Sequence, residues 1–137
     1  MCKTIKQKVQ FKAPPREVYR LLADAKYYHL FSGRRAMISQ KVGGRFSLGR
    51  GAASGINIDL RPGVRIVRAW RVKRFPEGIF SMASLVLSPT VGGGTALVLT
   101  HRGVPKELIP EIERSWKEDY WDPIKRYLLE SSMASAP

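Results

Sequence analysis

The chain has 137 residues, 44% of them hydrophobic and 26% charged, with one cysteine and a formal net charge of +13. That length fits one domain with a core of its own; no run of about 18 apolar residues offers a membrane-spanning helix, and a single cysteine excludes an internal disulfide framework. The charge is lopsided, with 18 Lys and Arg against 3 Asp and Glu in residues 1–75, and 6 against 8 in residues 76–137. Such a field favours anionic partners (an acidic protein surface, nucleic acid or phospholipid headgroups), or it only keeps a basic face in water.

The opening MCKTIKQKVQ carries no apolar signal stretch, so a cytoplasmic, reducing setting is expected. Cys2 has no base near it in sequence and is not expected to be a nucleophile. Residues 4–12 alternate: Ile5, Gln7, Val9 and Phe11 face one way, and Lys6, Lys8, Gln10 and Lys12 the other, as in a half-buried strand. Pro14 and Pro15 end it, and Pro15 suits the start of a short helix over 16–23. A second short helix or turn over 26–31 ends at Ser32-Gly33.

Glycine-punctuated strands follow, at 36–40, 45–48, 56–60, 64–73, 79–87 and 95–102, with turn signals at Gly43-Gly44, Arg61-Pro62-Gly63, Pro76-Glu77-Gly78 and Gly92-Gly93-Gly94. In 64–73 one face holds Val64, Ile66, Arg68, Trp70 and Val72, so Arg68 stands where an apolar residue belongs. The last segment, 111–129, has a helical period: Ile112, Trp116, Tyr120, Ile124 and Tyr127 share a face. Pro123 removes one backbone donor inside it, so a kink or break is expected near 119–122, with Asp122 capping a restarted helix. Residues 131–137 are expected to be an unstructured tail and 1–130 a single domain.

Strand, two short helices, about six antiparallel strands and a long helix make an α+β set, closed most economically by a curved sheet around the final helix. The ordered series Gly43-Gly44-Arg45-Phe46, Ser54-Gly55, Asp59-Leu60-Arg61-Pro62, Trp70-Arg71-Val72-Lys73, Phe75-Pro76-Glu77-Gly78, Gly103-Val104-Pro105, Trp116 and Tyr120 resembles the C-terminal domain of the activator of heat-shock protein 90 ATPase. That family belongs to the START and birch-pollen-allergen-like helix-grip superfamily. The resemblance spans residues 3–130 and implies a helix-grip fold: six to seven antiparallel strands around a long C-terminal helix, with two short helices after strand 1. It also implies a non-enzymatic, stress-linked role by contact with the heat-shock protein 90 chaperone or another acidic protein surface. The full-length activator has an N-terminal domain that grips the chaperone, and this chain is expected to correspond to the C-terminal domain alone. The alternative the superfamily implies is a small hydrophobic or lipid-like ligand held between sheet and helix.

Signals for catalysis are thin. His29 and His101 lie in no metal-ligand spacing, no nucleophile elbow occurs, and no phosphate-loop Lys-Ser/Thr follows the glycine pairs. No catalytic residue, metal or cofactor is expected, and His101 is expected to be a satisfied strand histidine. Trp70, Met82, Trp116 and Tyr120 are the candidate walls of a ligand cavity, or plain core. Arg68 either pairs with Asp59 or Glu77, snorkels at the sheet edge, or meets a ligand's anionic head group. Lys6, Lys8, Lys12, Lys41, Arg45, Arg71, Lys73 and Arg74 are candidates for a cationic docking surface. Nucleic acid is disfavoured, because the aromatics read as buried and no recognition motif occurs.

Overall fold

The computed structural model describes residues 3–49 and 51–134; Cys2 lies outside them. β1 (Ile5–Phe11) is followed by α1 (Pro15–Ala23) and α2 (Ala25–Ser32). Then come β2 (Ala36–Ile38), β3 (Arg45–Leu48), β4 (Ala53–Arg61), β5 (Arg65–Val72), β6 (Ser81–Pro89) and β7 (Thr95–Arg102). The strands form one antiparallel sheet in the order β1-β7-β6-β5-β4-β3-β2. A 3-10 turn (Lys106–Leu108) leads into α3 (Ile109–Ser115), a π turn (Trp116–Trp121) and α4 (Asp122–Ala134). This is the expected helix-grip arrangement, with seven strands.

The two small helices are set by local chemistry. Pro15 opens α1, where a missing N–H costs nothing. Asp24 closes α1 and caps α2, its Oδ1 accepting from the Lys26 N–H at 2.9 Å. Gly33, at φ 71°, ends α2 in the left-handed region, where its N–H reaches the carbonyl of His29. Val18, Leu21, Leu22, Tyr28 and Phe31 then close one end of the core.

Helix and sheet meet over a largely apolar interior. Ile5, Val9 and Phe11 of β1, Ile66 and Trp70 of β5, Leu85 and Leu87 of β6, and Leu97 and Leu99 of β7 face Ile112, Trp116, Tyr120, Ile124 and Leu128. Tyr127, expected on the buried face, is only partly buried, and Leu128 takes its place. The break expected near 119–122 is instead a π turn inside a continuous helix, since Asp122 keeps right-handed helical angles. A proline ring clashes with the carbonyl four residues back; in a π turn the hydrogen bonds run one residue further, which accommodates Pro123. The wider turn also brings Trp121 inward beside Tyr120, both under 10% exposed. α4 runs to Ala134, so residues 131–134 of the expected tail are helical.

β4 carries a bulge: Asn57 faces Arg68, but Asp59 faces Val67. Two residues before Asn57 on the same strand, Gly55 lies so close to β5 that a Cβ there would come within 1.8 Å of the Ala69 carbonyl oxygen. Gly55→Ala is therefore expected to cost about 3 kcal/mol by forcing the two strands apart. Urea unfolding checks this, and a loss under about 1 kcal/mol would contradict it.

Candidate functional site

Where the helix crosses the sheet, an aromatic layer fills the gap. Trp116 stacks on Trp70 (5.9 Å, 27°) and on Trp121 (5.4 Å, 19°), and lies 4.6 Å from Tyr120. The rings are bonded as well as packed. The Trp116 indole N–H donates to His101 Nδ1 at 3.0 Å, and the Trp121 indole N–H donates to Gln7 Oε1 at 2.7 Å. Gln7 in turn donates to the carbonyl of Glu113 at 3.0 Å. The polar residue on the inner face of β1 is thus a clamp on the helix.

His101 is fully buried and its tautomer is determined by its neighbours. Ser81 Oγ–H donates to the Trp70 carbonyl at 2.7 Å, so the 2.7 Å contact between Ser81 Oγ and His101 Nε2 has the imidazole as donor. Nδ1 is left as the acceptor for Trp116. Burial holds the imidazole pKa down to about 4, from an ordinary 6.5. A serine beside a histidine suggests a nucleophile and its base. Here the serine proton is already engaged and the pair is sealed beneath Trp70 and Trp116, which is the satisfied-histidine reading.

Arg68 is 5% exposed and, among the described residues, forms no ion pair with a carboxylate. Its Nε donates to Asn57 Oδ1 at 3.1 Å and a terminal nitrogen donates to the Leu22 carbonyl at 3.2 Å, at the end of α1 where the helix dipole is negative. Its guanidinium lies 4.6 Å over the Phe46 ring. Asn57 is held by its own donations to the carbonyls of Ser39 and Lys41. Burial lowers the Arg68 pKa to about 10, so the cation persists at neutral pH. Asp59, one of the partners expected for it, pairs with Arg65 at 2.7 Å, because the bulge swings Asp59 to the outer face.

On one flank the layer stays open. A pocket of about 340 Å³ lies between the helix, the end of β5 and α2. Trp70, Tyr120 and Tyr28 line it, with Arg34, Arg74, Glu111 and Asp119 among its charged residues. Two ion pairs tie the helix to the opposite wall there, Arg34 to Asp119 at 3.6 Å and Arg74 to Glu111. Both pairs are partly exposed, so each contributes little to stability. Burial raises the phenol pKa of Tyr28 and of Tyr120, so both remain neutral hydrogen-bonding groups.

Of the five sequence-expected site residues, Trp70 and Tyr120 line this pocket, and Trp116 backs both rings. Arg68 does not line it and is engaged within the core. Met82 must be corrected: it is 42% exposed on the outer face of β6, because Ser81, Ala83, Leu85 and Leu87 take the inner positions. The expected cationic docking surface is also divided. Lys6, Lys8 and Arg45 are exposed on the outer side of their strands, whereas Lys73 and Arg74 stand at the pocket. Trp121, the place of Tyr28 at the pocket and the two ion pairs went unforeseen; Pro123 two positions on was the available sign that Trp121 turns inward.

A family model described as Activator of Hsp90 ATPase homolog 1-like protein matches residues 12–129. The chain belongs to this family. Among curated family relatives, the Activator of 90 kDa heat shock protein ATPase homolog 1 of Homo sapiens is 34% identical over 91% of this chain and 36% of its own length. The Activator of 90 kDa heat shock protein ATPase homolog of Dictyostelium discoideum is 28% identical over 95% of this chain and 34% of its own. The chain therefore spans about a third of the length of these relatives. Solved structures share the fold. An HSP90 activator from Plasmodium falciparum superposes with a TM-score of 0.86 at 22% identity, covering 91% of this chain and 95% of that one. CalU16 from Micromonospora echinospora gives 0.80 at 23% identity, covering 97% and 80%.

Two measurements test the buried polar groups. As pH falls, the unfolded chain takes up a proton near 6.5 while folded His101 resists until about 4. Stability is thus full above pH 6.5 and declines toward pH 4, by about 3 kcal/mol from this group. Urea melts across that window should show a steeper decline than for His101→Gln; equal slopes would contradict it. Arg68→Ala leaves the acceptors on Asn57 and Leu22 unpaired and is expected to cost about 3–5 kcal/mol in the same melts.

Proposed function

We propose that this protein acts without chemistry of its own, by binding a chaperone of the heat-shock protein 90 class and raising its ATP turnover. The observation that carries the reading is the family match over residues 12–129 together with 34% identity to a relative named for that activity. The net charge of +13 supports it, since a cationic body is steered toward an acidic protein surface. The same reading puts the protein in the cytoplasm.

The test is the ATP turnover of a purified chaperone of this class with and without the protein. A rise at low salt that fades as ionic strength goes from about 50 to about 300 mM is expected, because screening shortens the reach of surface charge. Turnover unchanged at every salt concentration contradicts the reading.

The pocket favours a second reading, in which it holds a small amphipathic ligand. Trp70 and Tyr120 supply apolar walls, Trp116 backs them, and the buried Arg68 lends positive potential from the core. Met82 has no part in it. Organic extraction of the purified protein checks this: a stoichiometric small molecule supports the ligand, and an empty extract counts against it.

A further inference from the structure

The sheet face turned away from the helix carries a feature that the pocket does not use. Two grooves, of about 510 and 630 Å³, adjoin at the edge strand β2 and share Met37 and Ser47. They therefore form one trough that runs from α2 around β2 to the outer face of β4. Its apolar residues stand in solvent: Met37 is 77% exposed, Leu30 49%, Phe80 47% and Ile56 37%. The register carries the strip further, since Ile56 faces Ala69 and Ala69 faces Met82. Isolated apolar side chains on a surface are ordinary, but a contiguous strip in a concavity marks a contact site.

The rim is cationic. Lys26, Arg35 and Arg45 line the trough, and the Arg71 guanidinium lies 5.7 Å over the Phe80 ring while donating to the carbonyls of Phe75 and Pro76. Among the described residues lining the two grooves there is no Asp or Glu. Elsewhere the surface cations Arg34, Arg65, Arg74 and Lys117 have carboxylate partners within 4 Å.

The edge itself is open. Gly49 N–H bonds to Arg35 O, and Ser39 N–H bonds to Arg45 O. With Ala36 opposite Leu48 and Ile38 opposite Phe46, the alternation turns the N–H and C=O of Ala36 and Ile38 away from β3. An exposed edge of this kind accepts an added strand, in which main-chain bonds give affinity and alternate side chains give specificity.

We infer that the trough around β2 receives an extended acidic segment of a partner protein, its apolar side chains on Met37, Ile56 and Phe80 and its carboxylates against Arg35, Arg45 and Arg71. A nucleic acid would use the cations but not the apolar strip, and the strip offers one aromatic ring rather than a stacking series. The assignment rests on the reading that this protein works by protein contact, and it names the surface that does so.

The probe is a labelled peptide of about twelve residues alternating Glu with Val or Leu. It is titrated into the whole protein by fluorescence anisotropy and by amide chemical shifts. Shifts are expected at 35–38, 45–47 and 54–56. Met37→Glu and Phe80→Glu, both at exposed positions, are expected to weaken binding at least about tenfold. Val91→Glu, in the exposed β6–β7 turn, should leave it unchanged, and thermal melts confirm that all three variants fold. Absence of binding overturns the inference. So do shifts centred on Lys73 and Asp119, affinity indifferent to Met37→Glu and Phe80→Glu, or tighter binding of an oligonucleotide or phosphatidylserine vesicle at the same amides. The two readings fail separately. Chaperone turnover raised equally by the wild type and Met37→Glu removes the trough alone. Peptide binding at the trough without any effect on turnover removes the chaperone reading alone.

Discussion

One hydrogen bond, from the indole of Trp116 to the imidazole of His101, links the two halves of this molecule. The helix contributes the donor, β7 the acceptor, and β6 positions the acceptor through Ser81. Each of these groups is buried, so none has water to fall back on. In such a setting a satisfied network specifies one arrangement, and a half-satisfied one is costly. The stacked indoles of Trp70, Trp116 and Trp121 add area, while the bond adds register, since a shift of one helical residue would leave both Nδ1 and the indole N–H unpaired. Trp121 repeats the device on Gln7 of β1, so the helix is bonded to the edge strand as well as to its neighbour.

The site geometry follows from that layer. With the aromatic rings packed deep between helix and sheet, a pocket lies open on the flank, where Trp70 and Tyr120 end and charged side chains begin. The pocket is accordingly shallow, part aromatic and bridged by ion pairs, rather than a closed tunnel. Arg68 lies in the core near α1, where Asn57, a helix-terminal carbonyl and a ring face stand in for a counter-ion. Its charge supports the packing of α1 on β4 and β5. On the opposite side of the sheet, apolar side chains are exposed, and no Asp or Glu is among the described residues lining the grooves there. The two faces thus have different chemistry, one part aromatic and bridged by ion pairs, the other apolar with a cationic rim.

Much of this could be read from residue order. The turn glycines before β7 and Gly103 after it marked its bounds, the four-residue spacing put Ile112, Trp116, Tyr120 and Ile124 on the buried face, and strand parity put Arg68 inside. Two of the misses, Asp59 and Trp121, share a cause, a single residue of irregular backbone. A bulge after Asn57 turned Asp59 away from Arg68 toward Arg65. A π turn brought Trp121 in beside Tyr120 and absorbed Pro123 without a break. Neither leaves a mark in hydrophobic periodicity, because each shifts the phase only locally. Met82 escaped for another reason: β6 has apolar residues on both faces, and the inner set is the one with Leu85 and Leu87, whose small members Ser81 and Ala83 lie opposite Trp70 and Arg68. The serine and alanine were the available signal.

Helix and sheet form one cooperative unit held through Trp116 and His101. Native-state hydrogen exchange of the Trp116 indole N–H tests it most directly. If the account holds, that proton exchanges only through global unfolding, with a free energy equal to the value from urea melts. Exchange through a local detachment of α3 and α4, at a free energy several kcal/mol lower, would contradict it.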